Sequence, residues 1–296
     1  MQNVLAALAI WLMGIVVAVF IGVLNAVSNL RVEVKSIEKN LESLRAHPLI
    51  PSSQLFLAAL TRETRFWGKL FVQRSDKIAI SSRLAASYVH EGDTIVVDSG
   101  TTIDQVPHIL RERLKSVRVY TNNLLAAIST LPPVEGFECF LLPGRIDPIY
   151  GATYNIGDIE GPLKSIKART VILAAPAVSF DDGPMVDVED YSNLHFKREL
   201  VRMALEDPVN VTLLVAVDWT KLIEDHRSSE HARLNPVLVS EDWKTARATA
   251  RFRIVTTPPP ESLRTPEAMK AREVIDMFTD NMKRNKGMVI DLVQCE

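Results

Sequence analysis

The chain has 296 residues, 47% of them hydrophobic and only 6% aromatic, with a formal charge of −2. That length supports one large or two modest domains with a real core, and the near-neutral balance excludes a global basic field that would recruit nucleic acid. Cys139 and Cys295 are the only cysteines and share no metal-type spacing, which leaves no disulfide framework and fits a reducing compartment.

Residues 1–30 carry no charged side chain, and the stretch from Val4 to Val27 is almost wholly apolar and free of proline. About 20 such residues span a bilayer as a helix, so this segment is expected to be a transmembrane anchor in contact with the lipid bilayer. It lacks the basic start and short apolar core of a cleaved signal peptide. Arg31, Lys35, Lys39 and Arg45 follow the span, which by the positive-inside rule places the rest of the chain in the cytoplasm. Over residues 31–48, Val34, Ile37, Leu41 and Leu44 continue a heptad seam from Leu30. The seam reads either as a short coiled coil that makes a homo-oligomer or as a solitary amphipathic stalk. Pro48 and Pro51 end the helix, and residues 49–75 read as a linker.

From residue 76 to about 260 the pattern becomes regular. Ile78, Ile80, Leu84, Ala85 and Val89 predict a helix, and Glu91-Gly92-Asp93 turns into a strand at Thr94-Ile-Val-Val. Asp98-Ser99-Gly100-Thr101-Thr102 then interrupts, and Ile103, Val106, Ile109, Leu110 and Leu114 predict a helix. A strand, a small polar turn and a helix is how α/β folds make an anion pocket: glycine lets the backbone approach a ligand, and the helix N-terminus offers unpaired N–H groups. Such residues also serve purely as caps, so the stretch alone decides nothing. Further strands are expected at Val117–Tyr120, Phe137–Leu142, Val171–Ala175, Val211–Val217 and Arg253–Thr257, with helices from Leu124 and over Tyr191–Leu205. Asp181-Asp182-Gly183 reads as a loop. Strands alternating with helices predict an α/β fold with a doubly wound, mostly parallel, Rossmann-like sheet, whose ligands bind beyond the carboxyl ends of the strands. Residues 261–296 add an amphipathic helix over Pro266–Met282 and a short strand or tail at Met288–Val293.

Lys77-Ile78-Ala79, Glu91-Gly92-Asp93-Thr94-Ile95, Asp98 to Thr102, Thr121-Asn122-Asn123, Gly144, Gly151, Lys197 and Val217-Asp218-Trp219-Thr220-Lys221 follow one another in a familiar order. From about Ser75 to Thr257 the chain resembles the effector-binding domain of DeoR-type repressors. The resemblance implies a fold shared with ribose-5-phosphate isomerase, aminosugar-phosphate deaminases and CoA transferases. It further implies a pocket that senses a phosphorylated sugar and usually performs no chemistry. Two departures stand out. An apolar segment and stalk occupy the place of the family's DNA-reading helix-turn-helix, so DNA is not expected as a partner. Pro143 stands where the family commonly has a glycine.

The expected ligand site is Asp98, Ser99, Gly100, Thr101, Thr102, Thr121, Asn122, Gly144, Lys197, Asp218 and Lys221. Ser99 to Thr102 would cradle a phosphate or carboxylate, and Thr121 and Asn122 would meet sugar hydroxyls unless they are only turn residues. Lys197 either reaches an anion or is an exposed helix lysine, and Asp218 with Lys221 either aims into the pocket or forms a surface ion pair. Asp181, Asp182 and Asp187 have the chemistry for a hard cation, although a solvated acidic loop is the plainer reading. The six histidines lack paired metal spacing and neither phosphate-loop nor dinucleotide glycine signature occurs, so no metal or cofactor is expected. The preferred function is a membrane-anchored sensor of a small phosphorylated or anionic ligand. The alternatives are a sugar-phosphate isomerase or deaminase of the same fold and a non-binding interaction scaffold.

Overall fold

The β-branched run at Thr94 forms β1 (Thr94–Val97), the strand about which the sheet is wound in both directions. The structure is a computed structural model describing residues 72–147, 150–154, 163, 165–188, 190–224, 233–248, 251–285 and 289–294. The expected anchor (1–30) and stalk (31–48), and nearly all of the linker, lie outside the described residues. Among the described residues no helix is long and apolar enough to cross a membrane.

Helix α1 (Arg74–Ser87) precedes β1, and α2 (Val106–Arg113), β2 (Val117–Thr121), α3 (Leu124–Ile128) and β3 (Phe137–Leu141) follow it. A hairpin of β4 (Arg145–Asp147) and β5 (Ala152–Tyr154) leads to β6 (Thr170–Ala174). Then come β7 (Ala177–Ser179), β8 (Gly183–Asp187), α4 (Tyr191–Glu206), β9 (Thr212–Ala216) and a 3-10 turn, Trp219–Lys221. The last elements are β10 (Leu222–Ile223), β11 (Leu234–Pro236), α5 (Ser240–Ala248), β12 (Phe252–Thr256), α6 (Pro266–Asn285) and β13 (Val289–Leu292).

Seven strands form the main sheet in the order β13-β12-β9-β6-β1-β2-β3, and every pairing in it is parallel. The chain runs outward from β1 to β3, returns to β6 on the other side of β1, and runs outward again to β13. The order therefore reverses between β1 and β6, and there the loops leaving the two carboxyl ends diverge and open a crevice. The α/β, Rossmann-like reading holds, with a main sheet more uniformly parallel than expected. The tail segment supplies the edge strand β13.

Both faces of the sheet are covered, which is why its strands read as continuous apolar runs rather than alternating ones. Ile95, Val97 and Ile172 face Ile80 and Leu84 of α1 and Leu110 of α2. Val96, Leu173, Val215 and Ile254 face Phe196 and Leu200 of α4, Trp243 of α5 and Phe278 of α6. The C-terminal helix thus packs into the core through Val274, Ile275 and Phe278, while Met269 stays exposed.

One expected loop has an unforeseen setting, and one helix boundary needs correction. Asp181-Asp182-Gly183 is the turn of a hairpin, β7–β8, which with β10 and β11 forms a second, four-stranded sheet. Gly183 has φ 76°, and a Cβ there would lie 2.6 Å from the Trp243 ring, so the turn requires glycine on both counts. Strands of two or three residues, as β7, β10 and β11 are, carry too little periodicity to be read in sequence. The helix after the Ser-Gly-Thr-Thr turn begins at Val106 rather than Ile103. Residues 101–105 stay in successive turns, with Ile103 N donating to Gly100 O and Val106 N to Ile103 O, and Pro107 then starts the helix.

Candidate functional site

At the carboxyl ends of β1 and β6 a cleft of about 110 Å³ opens between the Ser99–Thr102 turn, the Ala174–Pro176 segment, the start of α4 and Lys221. The β1 ladder runs one residue past the strand, because Asp98 N donates to Ile172 O at 2.9 Å. Its carboxylate, fully buried, accepts from Ala174 N at 3.2 Å and from the Lys197 ammonium. Lys197, 1% exposed, also donates to Ala174 O at 2.7 Å. A buried ion pair therefore ties both polar groups of one β6 residue to β1 and α4. Burial pushes the Asp98 carboxyl above its usual range, against the pull of the Lys197 charge.

Gly100 follows for a packing reason. A Cβ there would lie 2.4 Å from the Ala174 Cβ, so glycine lets the turn cross the end of β6. Beyond it, two hydroxyls meet two further lysines: Lys77 Nζ of α1 donates to Thr101 Oγ1 at 3.0 Å, and Lys221 Nζ to Thr102 Oγ1 at 2.7 Å. Ser81 pins the same turn by donating to Thr102 O at 3.0 Å. Lys221 also pairs with Asp218 at 3.1 Å, and Thr220 Oγ1 bonds the other carboxylate oxygen. Burial opposes charge on Asp218, but the Lys221 ammonium and these hydrogen bonds prevail and hold its carboxyl below the usual value.

Asp190 caps α4 at the edge of the cleft, its Oδ1 accepting from Asn193 N at 3.2 Å. Among the described residues, Asp190 Oδ2 and Asn193 Oδ1 are buried without a hydrogen-bond partner, as are Asp98 Oδ1 and Asn122 Oδ1. Burial raises the Asp190 carboxyl, and it raises the Tyr154 phenol well above its usual value. Tyr154 OH shares a 3.2 Å hydrogen bond with Ser99 Oγ, which Asn122 Nδ2 approaches at 3.5 Å.

Of the expected site residues, Ser99, Gly100, Thr101, Thr102, Lys197 and Lys221 line the cleft, and Asp98 and Asp218 stand behind the two lysines. Lys197 is not an exposed helix lysine, and the Asp218–Lys221 pair is not at the surface. Asn122 touches the site through Ser99, whereas the Thr121 hydroxyl is a turn acceptor for Asn123 N at 3.0 Å. Gly144 is exposed between β3 and β4 and does not line the cleft. Lys77, Tyr154, Asp190 and Asn193 were missed. Asp187 lines the cleft while Asp182 bonds Ser179, and among the described residues no group of three His, Cys, Asp or Glu side chains is placed to hold a metal ion.

The cleft brings together ammonium groups, hydroxyls and, among the described residues, carboxyl and amide oxygens that accept no hydrogen bond. A model of the DeoR C terminal sensor domain matches residues 72–224. The HTH-type transcriptional repressor GlcR of Bacillus subtilis (strain 168) is 28% identical over 137 residues, 46% of this chain and 50% of the repressor. The chain thus spans about half the length of that relative. Among solved structures, similarity is found to eIF2B beta from Chaetomium thermophilum, with 15% identity, a TM-score of 0.38 and coverage of 55% of this chain and 45% of that one. It is found also to ribose 5-phosphate isomerase from Plasmodium falciparum, with 13% identity, a TM-score of 0.34 and coverage of 51% and 53%.

Proposed function

The chain belongs to the family of DeoR C-terminal sensor domains, and from that premise we propose that its cleft binds a phosphorylated sugar or a similar small, hydroxyl-bearing anion. One observation carries the reading: Lys197, Lys221, Thr101 and Thr102 line the same cleft as Asp190 and Asn193, whose Oδ2 and Oδ1 are buried and, among the described residues, accept no hydrogen bond. A phosphate or carboxylate matches the first group and ligand hydroxyls match the second. A simple anion satisfies one half, and a neutral sugar the other.

The uncharged run of residues 1–30 and the basic residues after it support an anchored chain with this domain in the cytoplasm. Ligand occupancy then acts through the stalk. Lys77, which touches Thr101, lies in the first turn of α1, the helix that connects the cleft to everything before it. A ligand shifts only states that it binds unequally, and α1 is the element through which such a difference reaches the N-terminal segment. The second reading, an isomerase-like enzyme, is favoured by the raised Asp190 carboxyl on the cleft wall, a candidate general base.

The test is thermal unfolding of the full chain in detergent against a panel of pentose, hexose and aminosugar phosphates, free sugars and inorganic phosphate. A ligand at a hundred times its Kd stabilises by about 2.7 kcal/mol. For a domain of this size that is roughly 5–11 °C. A sugar phosphate that gives such a shift, lost in Lys221→Ala, supports sensing. Conversion of the compound during incubation moves the reading to the enzyme. No shift across the panel, or a shift that survives Lys221→Ala, overturns both.

A further inference from the structure

The opposite, amino-terminal edge of the main sheet carries a second and larger concavity, about 550 Å³, which has no part in the cleft described above. We propose that this basic cleft is a second ligand site, for a small compound carrying two or more phosphate groups. It stands independently of the proposed sensor ligand.

Residues that begin adjacent strands line it: Asp93 before β1, Arg169 and Thr170 at β6, Asn210 and Thr212 at β9, and Arg251 and Arg253 at β12. Tyr88 and His90, between α1 and β1, close one side. Strands lie about 4.8 Å apart, so Arg169 and Arg251, with β9 between them, spring from backbones roughly 10 Å apart across a concave floor. A cleft of about 550 Å³ holds more than one phosphate group, so the two guanidinium forks can engage successive phosphates of one chain. Arginine suits the task because its planar fork gives paired hydrogen bonds to phosphate oxygens.

The guanidinium groups keep donors for such a ligand. Arg169 makes a 3.6 Å contact with Asp93 and is 75% exposed. Arg251 has a 3.5 Å hydrogen bond to Thr212 Oγ1, and Arg253 lies over the Tyr88 ring, 5.7 Å from its centre. The nearby carboxylates are already engaged. Asp291 accepts from Arg83 at 2.9 and 3.2 Å and from Tyr88 OH at 2.6 Å, and Asp93 accepts from His90 N at 2.8 Å. Three arginines thus face the concavity against one lining carboxylate, in a chain whose overall charge is slightly negative.

The test is isothermal titration of the full chain in detergent with inorganic tripolyphosphate and, separately, orthophosphate, at 150 mM salt. At that ionic strength long-range attraction is screened beyond about 8 Å. Saturable tripolyphosphate binding is expected, with Kd raised at least tenfold in Arg169→Gln/Arg251→Gln and within twofold of the parent in Lys221→Ala. Because the replaced side chains are exposed, the unliganded melting temperature of the double variant is expected to match the parent. Three results overturn the proposal: binding unchanged in the arginine variant, binding abolished by Lys221→Ala alone, which would place the probe in the other cleft, or no saturable binding. Binding to phosphatidylserine vesicles but not to tripolyphosphate overturns it as well, in favour of a membrane surface.

Discussion

Replacing Lys197 by Met keeps most of the side-chain volume and removes the ammonium, so it isolates the charge between β1 and β6. In the parent, the pair is almost completely buried, with side-chain exposures of 2% for Lys197 and 0% for Asp98. Lys197→Met leaves the Asp98 carboxyl without its counter-charge and the Ala174 carbonyl without its side-chain donor. Removing one partner of a buried pair costs about 3–5 kcal/mol, because the remaining charge has been desolvated for nothing. At about 2–4 °C per kcal/mol, the melting temperature should fall by roughly 6–20 °C. Asp98→Asn/Lys197→Met should recover at least half of the loss, since the double variant buries no charge. The pH dependence has a definite sign. Without Lys197 the folded carboxyl of Asp98 rises further above its unfolded value near 3.9. The deficit is then smallest below pH 4 and grows as the pH rises through the folded pKa. Urea unfolding followed by tryptophan fluorescence measures both effects. A loss below 1 kcal/mol, or additive effects in the double variant, would refute the buried ion pair as the fastening of this edge.

The remaining predictions bear on the same edge. Gly100→Ala should cost about 1–3 kcal/mol by overpacking, because its Cβ would meet Ala174 Cβ at 2.4 Å, and Ala174→Gly in the same chain should restore most of it, as read by thermal unfolding. Asn193→Leu removes a buried acceptor that lacks a donor, so stability should hold or rise. Titration should then show affinity for a sugar phosphate reduced about tenfold, the value of one hydrogen bond, with inorganic phosphate unaffected. Asp104 is buried and its carboxyl is pushed up to about 6. Its folded form therefore favours the proton, and the associated stability is present below the unfolded pKa and lost as pH rises through 6. Asp104→Asn should remove this dependence and stabilise the protein at pH 8 by on the order of 2–3 kcal/mol, as measured by urea unfolding across pH 4–8.

The strands around the turn after β1 were legible because β-branched runs broken by Ser, Gly, Thr and Asn mark a strand and its end, although whether the turn caps a helix or holds a ligand was not. What sequence did not disclose is which lysines leave water. The signal was present. In α4, Lys197 falls on the same stripe as Leu194, Leu200 and Val201, and in α1, Lys77 shares a stripe with Ile80 and Leu84. A lysine on the apolar stripe of a helix must find a buried partner, and each does so across a long separation: Lys197 with Asp98, 99 residues away, and Lys77 with Thr101, 24 away. Those partners are set by strand order, which no local pattern encodes. Asp190 had its own signal, a carboxylate one residue before a predicted helix, but a cap and a pocket wall look alike in sequence. Gly144 was carried by resemblance alone, and the chain departs from the family at the preceding Pro143.

The distribution of buried acceptors without donors weighs the sensor against a scaffold with an idle pocket. A buried acceptor that lacks its hydrogen bond costs about 1–3 kcal/mol, comparable to a large part of a domain's net stability. If the carboxyl edge were only a packed end of the sheet, apolar side chains of similar volume would serve it better. Yet, among the described residues, four of the buried polar atoms without a partner, Asp98 Oδ1, Asn122 Oδ1, Asp190 Oδ2 and Asn193 Oδ1, gather where the strand order reverses, in or behind a cleft that Lys197 and Lys221 also line, while Arg111 Nε, Trp219 Nε1 and Thr257 Oγ1 lie outside its lining. The fold has ways to avoid this cost. At the amino edge the Arg169 side chain, 75% exposed, keeps its water. Hydroxyl donors from a ligand would satisfy Asp190 and Asn193, and its anion would meet Lys197 and Lys221, so one molecule resolves both halves of the mismatch. An edge shaped only for packing has no reason to hold the two halves together, whereas an edge shaped for a polyhydroxylated anion requires both.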